Sequence, residues 1–247
     1  MKAMVLAAGL GTRLLPLTEN RPKALVEVGG RPLLEIVLRR LRAAGVDAAI
    51  VNAHHHAEMI AAYLDAHDFG MRIEVSREDE LLDTGGGLKK AAWFFVEDEP
   101  SEPFLVHNVD VLSSIDLGQM LGAHRESGAL ATLAVKQRPT SRPLLFDEDC
   151  QLCGRGAVRN DPEDLVRPAT GLHSVGFCGI HVLSPRIFAA LSEEGAFSIV
   201  NAYLRLAGEG EKITACCAND RYWRDLGRPE HLAQAEQDIA SGVYSFD

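Results

Sequence analysis

Two glycines and two basic residues near the amino terminus are arranged in a way that could bind an anion. The apolar run that ends at Leu6 is followed by Gly9 and Gly11, then by Arg13 and later by Lys23. Because glycine reaches positive φ and carries no side chain, such a loop lets backbone N–H groups approach a ligand. The formal net charge is −10, so Arg13 and Lys23 supply positive charge that the chain as a whole lacks. The residues predict a phosphate-binding loop, with a tight turn carrying solvated basic residues as the alternative.

Two widespread glycine motifs do not fit this loop. A dinucleotide-binding fingerprint needs a third glycine where Leu14 stands, and an acidic residue at the end of the next strand, and neither is evident. The G-x-x-x-x-G-K-[ST] loop is absent as well. These departures oppose a dinucleotide-dependent oxidoreductase, and cofactor absorbance in the purified protein would test that alternative.

Strand and helix patterns alternate through the first half of the chain. After the opening strand, the sequence predicts helices over 32–45, 55–68 and 87–96 and strands over 47–53, 71–75 and 103–111. Such alternation favours right-handed βαβ units. The expected fold is therefore α/β, a Rossmann-like, doubly wound, mostly parallel sheet in a single domain. In such sheets ligands bind beyond the carboxyl ends of the strands, where the glycine loop, Asn52 and Asp110 should meet.

The second half is more elaborate. The sequence predicts helices over 116–128, 185–193, 198–210 and 229–242 and strands over 129–137, 174–183, 212–218 and 221–226. Between them, residues 139–171 are rich in Pro, Asp, Arg and Gly and should form irregular hairpins.

Four segments, taken in order, resemble the sugar-1-phosphate nucleotidyltransferases. They are LAAGLGTRLLPLT with the later RPKAL, then LDTGGG at 82–87, Val109-Asp110, and WRDLGRPE at 223–230, where Arg228 replaces the usual threonine. The resemblance implies one nucleotidyltransferase domain over 1–247. Its nucleotide-binding half would be 1–115 and its sugar-binding half 116–247, with the hairpins 139–171.

The resemblance also implies roles for particular residues. The metal-binding carboxylates would be Asp110 and Asp225, and the catalytic residues Arg13, Lys23 and Asp110. The expected nucleotide contacts are Leu6, Ala7, Ala8, Gly9, Gly11, Thr12, Arg13, Lys23, Asn52, Gly85, Gly86 and Asn108. The glycines of LDTGGG are expected just before a helix, against the nucleobase, although a flexible helix entry has the same pattern. His107, beside Asn108, is a further candidate for contact with ribose or sugar.

The chemistry of such a transfer needs no general base. A sugar phosphate oxygen is already largely ionised near neutral pH, so the task is positioning and charge neutralisation around an attack on the α-phosphorus. Asp110 and Asp225 would hold Mg²⁺, which prefers one or two carboxylates and fills its octahedron with water and phosphate oxygens. Each carboxylate has a plainer alternative, since Asp110 could form a turn after its strand and Asp225 could cap the turn before Gly227.

The substrates are less well defined than the reaction. The LLDTGGG pattern and the short C-terminal end are most similar to uridylyltransferases that act on N-acetylmuramate 1-phosphate, which favours UTP. Mannose- and heptose-1-phosphate guanylyltransferases are the alternatives. The family's Glu and Lys that hold the sugar phosphate have no clear counterpart among the four arginines of 139–171, namely Arg142, Arg155, Arg159 and Arg167. A non-catalytic subunit that senses nucleotide sugars remains an alternative of another class, opposed by the presence of all four charged site residues.

Composition restricts the partners and the compartment. Hydrophobic residues make up 47% of the chain and charged residues 24%, as in ordinary globular proteins. The acidic balance opposes general binding of nucleic acid or of an anionic membrane, and no run approaches a membrane span or a signal peptide, so the cytoplasm is expected. The five cysteines are expected to be reduced; Cys150 and Cys153 match C-x-x-C, but Cys216-Cys217 is a poor second pair for zinc. The protein could be a monomer or a homodimer.

Overall fold

The computed structural model describes residues 1–97, 101–156 and 164–246. Strands of its first half are β1 (Lys2–Leu6), β2 (Glu27–Val28), β3 (Arg31–Pro32), β4 (Ala48–Ala53), β5 (Arg72–Arg77), β6 (Phe104–Asn108) and β7 (Val111–Ser113). Helices of the same half are α1 (Leu33–Ala43), α2 (Ala57–Asp65), α3 (Asp83–Lys90) and α4 (Ala92–Val96). Short 3₁₀ turns lie at Thr12–Leu14 and Lys23–Leu25.

The second half adds further strands and helices in a less regular order. Its helices are α5 (Leu117–Ser127), α6 (Ile187–Ala190), α7 (Ile199–Gly208) and α8 (Pro229–Ala240). Its strands are β8 (Ala131–Lys136), β9 (Pro143–Phe146), β10 (Leu152–Arg155), β11 (Asp164–Leu165), β12 (His173–Leu183), β13 (Ile213–Cys217) and β14 (Trp223–Asp225).

A ten-stranded sheet forms the centre of the described structure, in the order β11-β10-β9-β12-β6-β1-β4-β5, with β8 paired to β12 and β13 to β8. Strands β6, β1, β4 and β5 run parallel to one another, as do β8 and β13. Strand β12 runs antiparallel to β6, β8 and β9. The predicted α/β, Rossmann-like single domain is confirmed. Antiparallel pairs occur where connections such as the turn between β9 and β10 are too short for a crossover helix.

Helices cover both faces of the sheet, and each face has its own apolar core. On one face α1, α2, α5 and α8 pack over strand residues that include Ala3 and Val5. On the other face α3, α4, α6 and α7 pack over a set that includes Met4. Helix α1 shows why its sequence is helical, because Leu34 and Leu38, one turn apart, are both fully buried. Truncating either to alanine would cost about 2–5 kcal/mol.

Three predicted elements have different limits in the structure. The helix expected over 87–96 begins at Asp83 and is divided into α3 and α4, so the glycines lie inside a helix rather than ahead of it. The strand expected over 103–111 is divided too, since β6 ends at Asn108 and β7 begins at Val111. The helix expected over 185–193 is a single turn. The division of the strand places Asp110 where the chain leaves the sheet edge.

The hairpin region extends one edge of the sheet. Strands β9, β10 and β11 pair antiparallel there, while residues 157–163, including Arg159, lie outside the described residues. All five cysteines are free thiols, with Cys153 buried and Cys150 exposed. Within the described ranges, no helix has both the length and the apolar character needed to cross a membrane.

Candidate active site

Three parallel strand ends meet at one edge of the sheet and border a pocket of about 380 Å³. Leu6 at the end of β1 lies in register between Asn52 of β4 and Asn108 of β6. The pocket lining includes these predicted residues: Leu6, Ala7, Ala8, Gly9, Lys23, Asn52, Asn108 and Asp110. Ligands bind at the carboxyl ends of parallel strands in such sheets. The residues predicted from this rule do lie together in the structure.

The loop after β1 is held from behind, which leaves its outer side open. Gly11 has a φ of 67°, and a Cβ there would lie 2.9 Å from Thr18 Cγ2. The Thr18 hydroxyl donates to the Gly11 carbonyl at 2.8 Å, and the Ala7 N–H donates to Asn52 Oδ1 at 2.7 Å. No atom of the described chain comes within 4 Å of a Cβ built on Gly9, which is exposed. The loop can therefore admit a ligand at Gly9 while Gly11 fixes the turn.

The basic residues of the loop occupy two different environments. Thr12 and Arg13 are exposed at the 3₁₀ turn that follows the glycines. Lys23 is drawn inside the pocket, where its Nζ forms an ion pair with Asp110 Oδ2. The side chains of this pair are only 10% and 18% exposed. Lys23 therefore offsets the charge of Asp110 inside a site of restricted access to water.

Asp225 is brought beside Asp110 by the antiparallel pairing of β14 with β7. The Leu226 N–H donates to the Asp110 carbonyl at 2.7 Å. Arg13 reaches the same place from the glycine loop, since a Cβ on Gly227 would lie 2.7 Å from both Arg13 Nη2 and Asp225 Oδ1. The glycine at 227 thus lets a guanidinium from the first segment approach a carboxylate from the last.

The donor chemistry of Asp110 and Asp225 fits a magnesium ion. Asp225 Oδ1 accepts the Gly227 N–H at 2.7 Å, so the turn-capping role considered for this residue is real. Its second oxygen makes no hydrogen bond to the described residues. In those same residues no three His, Cys, Asp or Glu side chains cluster as a metal site. An ion held by these two carboxylates would complete its shell with phosphate oxygens and water, as Mg²⁺ prefers.

Gly85 and Gly86 face the chain segment 195–197 rather than the pocket. A Cβ on Gly85 would lie 2.2 Å from the ring of Phe197, and one on Gly86 would lie 2.3 Å from the Gly195 carbonyl oxygen. The Gly85 N–H donates to the Phe197 carbonyl at 2.8 Å. The prediction that these glycines precede a helix is wrong, because they lie inside α3. Their close packing against segment 195–197 offsets the cost of glycine inside a helix. Contact of these two glycines with a nucleobase stays a prediction.

The pocket has further lining residues that sequence reasoning missed: Leu81, Asp83, Thr84, Val109 and Ala196. Asp83 starts α3 with a φ of 56°, and its Oδ1 accepts the Thr84 N–H at 2.6 Å. Thr84 in turn accepts the Ile199 N–H at 3.0 Å through its hydroxyl oxygen. This hydrogen bond joins the start of α3, beside the pocket, to the start of α7. Because the two segments are far apart in the chain, no local sequence pattern predicts the contact.

Behind the pocket, Glu78 and Asn52 form a buried pair, 4% and 2% exposed. Asn52 Nδ2 donates to Glu78 Oε1 at 2.7 Å, and the Leu82 N–H donates to Glu78 Oε2 at 3.1 Å. Since Asn52 also accepts from Ala7, the pair joins the glycine loop to the residue before α3. Recognition of a base edge by Asn52 stays a prediction. Glu78 directly follows β5, whose end lies two residues beyond the predicted strand 71–75, so the strand-end rule points to Glu78 only once the structure gives the limit of the strand.

His107 does not face the pocket. It is 1% exposed, its Nδ1 lies 2.8 Å from the Asn108 carbonyl oxygen, and burial lowers its pKa to about 3. The side chain is therefore neutral near pH 7 and packs under the strand end. Contact of Asn108 with ribose or sugar stays a prediction.

Comparisons with known proteins identify the family of this chain. The nucleotidyl transferase family model matches residues 2–146. The chain is 35% identical over 246 residues to N-acetylmuramate alpha-1-phosphate uridylyltransferase of Caulobacter vibrioides, covering 96% of each chain. It is 30% identical over 251 residues to mannose-1-phosphate guanylyltransferase of Mycobacterium tuberculosis, covering 98% of this chain and 65% of that protein. The crystal structure of HddC from Yersinia pseudotuberculosis superposes with a TM-score of 0.75 at 22% identity, covering 96% of this chain and 99% of that one.

The chain belongs to the nucleotidyl transferase family and is an enzyme of that type. The resemblance to sugar-1-phosphate nucleotidyltransferases that its motifs indicate is confirmed. The likeness to the Yersinia structure shows the fold alone.

Proposed function

We propose that this enzyme transfers a nucleotidyl group from a nucleoside triphosphate to a sugar 1-phosphate and releases pyrophosphate. One observation carries the proposal: the glycine loop, the Lys23–Asp110 pair and Asp225 meet at a single edge of the sheet. Membership of the family supports the class of reaction.

The reaction asks the protein for positioning and charge neutralisation. An oxygen of the sugar phosphate attacks the α-phosphorus, a new P–O bond forms, and the bond to the α–β bridging oxygen breaks. The electron pair of the broken bond leaves with pyrophosphate. Because the attacking oxygen is already ionised near neutral pH, no protein base has to remove a proton.

The charged residues then divide the work by position. Arg13, exposed on the loop, would bind the departing pyrophosphate, and Lys23 would exchange part of its contact with Asp110 for the α-phosphate. Asp110 and Asp225 would hold Mg²⁺, which, when bound, neutralises phosphate charge and polarises the oxygens around the α-phosphorus. The backbone at Gly9 would orient the triphosphate.

UTP with N-acetylmuramate 1-phosphate is the substrate pair we favour, supported by similarity to the Caulobacter uridylyltransferase over nearly the whole of both chains. GTP with mannose 1-phosphate is the second candidate, supported by the Mycobacterium relative. We expect the enzyme to act in the cytoplasm, since its five cysteines are free thiols, as is usual in a reducing compartment.

Pyrophosphate release with Mg²⁺ tests the proposal. UTP, GTP, dTTP, ATP and CTP would each be combined with N-acetylmuramate, mannose, glucose and heptose 1-phosphates. Turnover with one pair, lost in Asp110→Asn and on removal of divalent metal, is the expected result. Absence of turnover with every pair, although nucleotide sugars still bind, would replace the proposal by a sensing role.

A further inference from the structure

Arg138 lies at the same edge of the sheet as the pocket, on the side away from the glycine loop. Strand β12 is antiparallel to both β6 and β8, so β8 runs in the direction of β6 and ends at the same edge. Arg138 follows the end of β8 by two residues. In the strand order, β12 separates β6 from β8, whereas β1 and its loop lie beyond β6. Arg138 thus lies across β12 from the strand that leads to Asp110.

The guanidinium of Arg138 is fixed in place. Its Cζ lies 4.2 Å from the centroid of the Trp223 ring, and its Nη2 donates to the Phe177 carbonyl at 2.8 Å. A Cβ on Gly176 would lie 2.7 Å from Cζ, so only glycine there leaves room for the group. The Trp223 ring is itself held, because its Nε1 donates to the Cys178 carbonyl at 2.8 Å. A planar cation on a fixed aromatic face loses little side-chain entropy when it binds an anion.

Among the described residues, no carboxylate neutralises the positive charge of Arg138. Both of its hydrogen bonds go to backbone carbonyls, its Nε is buried without a partner, and in the described ranges no carboxylate forms an ion pair with it. The chain has 35 acidic residues, so a counter-ion could readily have been supplied. Nearby Lys136 differs, because its Nζ donates to three carbonyls that surround it.

The same aromatic ring connects Arg138 to the carboxylates of the site. Trp223 and Asp225 are the two ends of the short strand β14, and β14 pairs with β7 directly after Asp110. On the neighbouring strand, a Cβ on Gly179 would lie 2.8 Å from Asn108 Nδ2. An anion on Arg138 would therefore lie along the wall that continues from Asn108 and Asp225.

We infer that Arg138, stacked on Trp223, binds an anionic group of the sugar 1-phosphate and thereby selects the second substrate. This inference rests on the proposed function. The anion can come from two sources on one molecule, the phosphate itself or a carboxylate carried by the sugar. Arginine suits either, since its planar fork pairs with phosphate and carboxylate oxygens alike.

Arg138→Gln removes the charge and keeps a planar group on the ring. Arg142→Gln is the matched control, because Arg142 is an exposed arginine of the same segment whose side chain has no described partner. We expect the first variant to raise the KM for the sugar 1-phosphate about tenfold or more, which is about 1.4 kcal/mol, with the KM for the nucleoside triphosphate nearly unchanged. The control should leave both constants at wild-type values, and Arg138→Lys should restore part of the affinity.

The two sources of the anion are distinguished by the sugar used. If Arg138 binds the phosphate, the dissociation constants measured by calorimetry rise for mannose 1-phosphate and N-acetylmuramate 1-phosphate alike, whereas only the constant for the latter rises if Arg138 binds a carboxylate. An equal rise in both substrate constants, or no rise for either sugar, would overturn the inference.

Calorimetric titration of each sugar 1-phosphate into the wild type, Arg138→Gln and Arg142→Gln separates this inference from the proposed function. If the wild type turns over and Arg138→Gln binds sugar phosphate as tightly, the inference fails and the function stands. If the wild type binds sugar phosphate without turnover and Arg138→Gln does not bind it, the binding site stands and the proposed reaction is wrong. Absence of both turnover and sugar-phosphate binding in the wild type refutes both.

Discussion

Alanine in place of Gly87 would press a methyl group into the buried Asn52–Glu78 pair behind the pocket. The added Cβ would lie 2.6 Å from Glu78 Oε1 and 2.7 Å from Asn52 Nδ2. Those two atoms are hydrogen-bonded to each other at 2.7 Å, and both residues are nearly inaccessible to water. Neither atom can move aside without breaking a buried hydrogen bond.

The expected loss of stability is the balance of opposing contributions. Alanine is more favourable than glycine inside a helix by about 1 kcal/mol. Forcing a methyl group into a packed interior costs about 1–3 kcal/mol, and a buried hydrogen-bonding group left unpaired costs about 1–3 kcal/mol more. The net destabilisation of Gly87→Ala is then about 1–5 kcal/mol. For a chain of this size Tm falls by about 2–4 °C per kcal/mol, so a fall of a few degrees is the smallest expected result.

Gly122→Ala is the matched control, because Gly122 also lies inside a helix, α5, and has no described atom within 4 Å of its Cβ position. This variant should be stabilised by about 0.5–1 kcal/mol, with unchanged kinetics. Urea unfolding measures both stabilities, and the KM for the nucleoside triphosphate should rise only in Gly87→Ala, because Asn52 holds the Ala7 N–H of the loop. If Gly87→Ala gains stability as the control does, the pair is not the rigid support described here.

Three further predictions concern single residues of the site and core. Asp110→Asn should lower pyrophosphate release about a hundredfold or more while far-UV circular dichroism stays unchanged; turnover of this variant at the wild-type rate would refute the proposed metal-binding role of Asp110. Asn52→Ala should raise the KM for the triphosphate more than that for the sugar phosphate, since the loop loses its anchor, and an equal effect on both would contradict this role. Burial lowers the pKa values of His107 and His181 to about 3, whereas histidine in the unfolded chain has a pKa of about 6.5. Between these two pH values the unfolded chain therefore binds more protons than the folded chain. The free energy of unfolding consequently falls as the pH is lowered. His181→Phe should reduce this dependence by about 1.4 kcal/mol per pH unit between pH 6 and 4, measured by urea unfolding, and a slope equal to wild type would refute the assignment.

The sequence by itself determined the class of fold and much of the lining of the pocket. Alternating strands and helices follow from local periodicity, and the polar residues that end parallel strands must share one edge of the sheet. Leu6, Asn52 and Asn108 therefore lie side by side, as the register shows. The same rule misses Glu78, because the predicted strand over 71–75 stops two residues short of the observed end of β5.

Only the tertiary structure decided what the remaining residues contact. Three glycines in a row are compatible with a turn or with close packing inside a helix, and the close packing of Gly85 and Gly86 depends on segment 195–197, far along the chain. The pairing of Lys23 with Asp110 and the stacking of Arg138 on Trp223 likewise join segments that no local pattern relates. Periodicity reports which side of an element is buried, whereas the partner across a contact is fixed by how distant strands and helices pack.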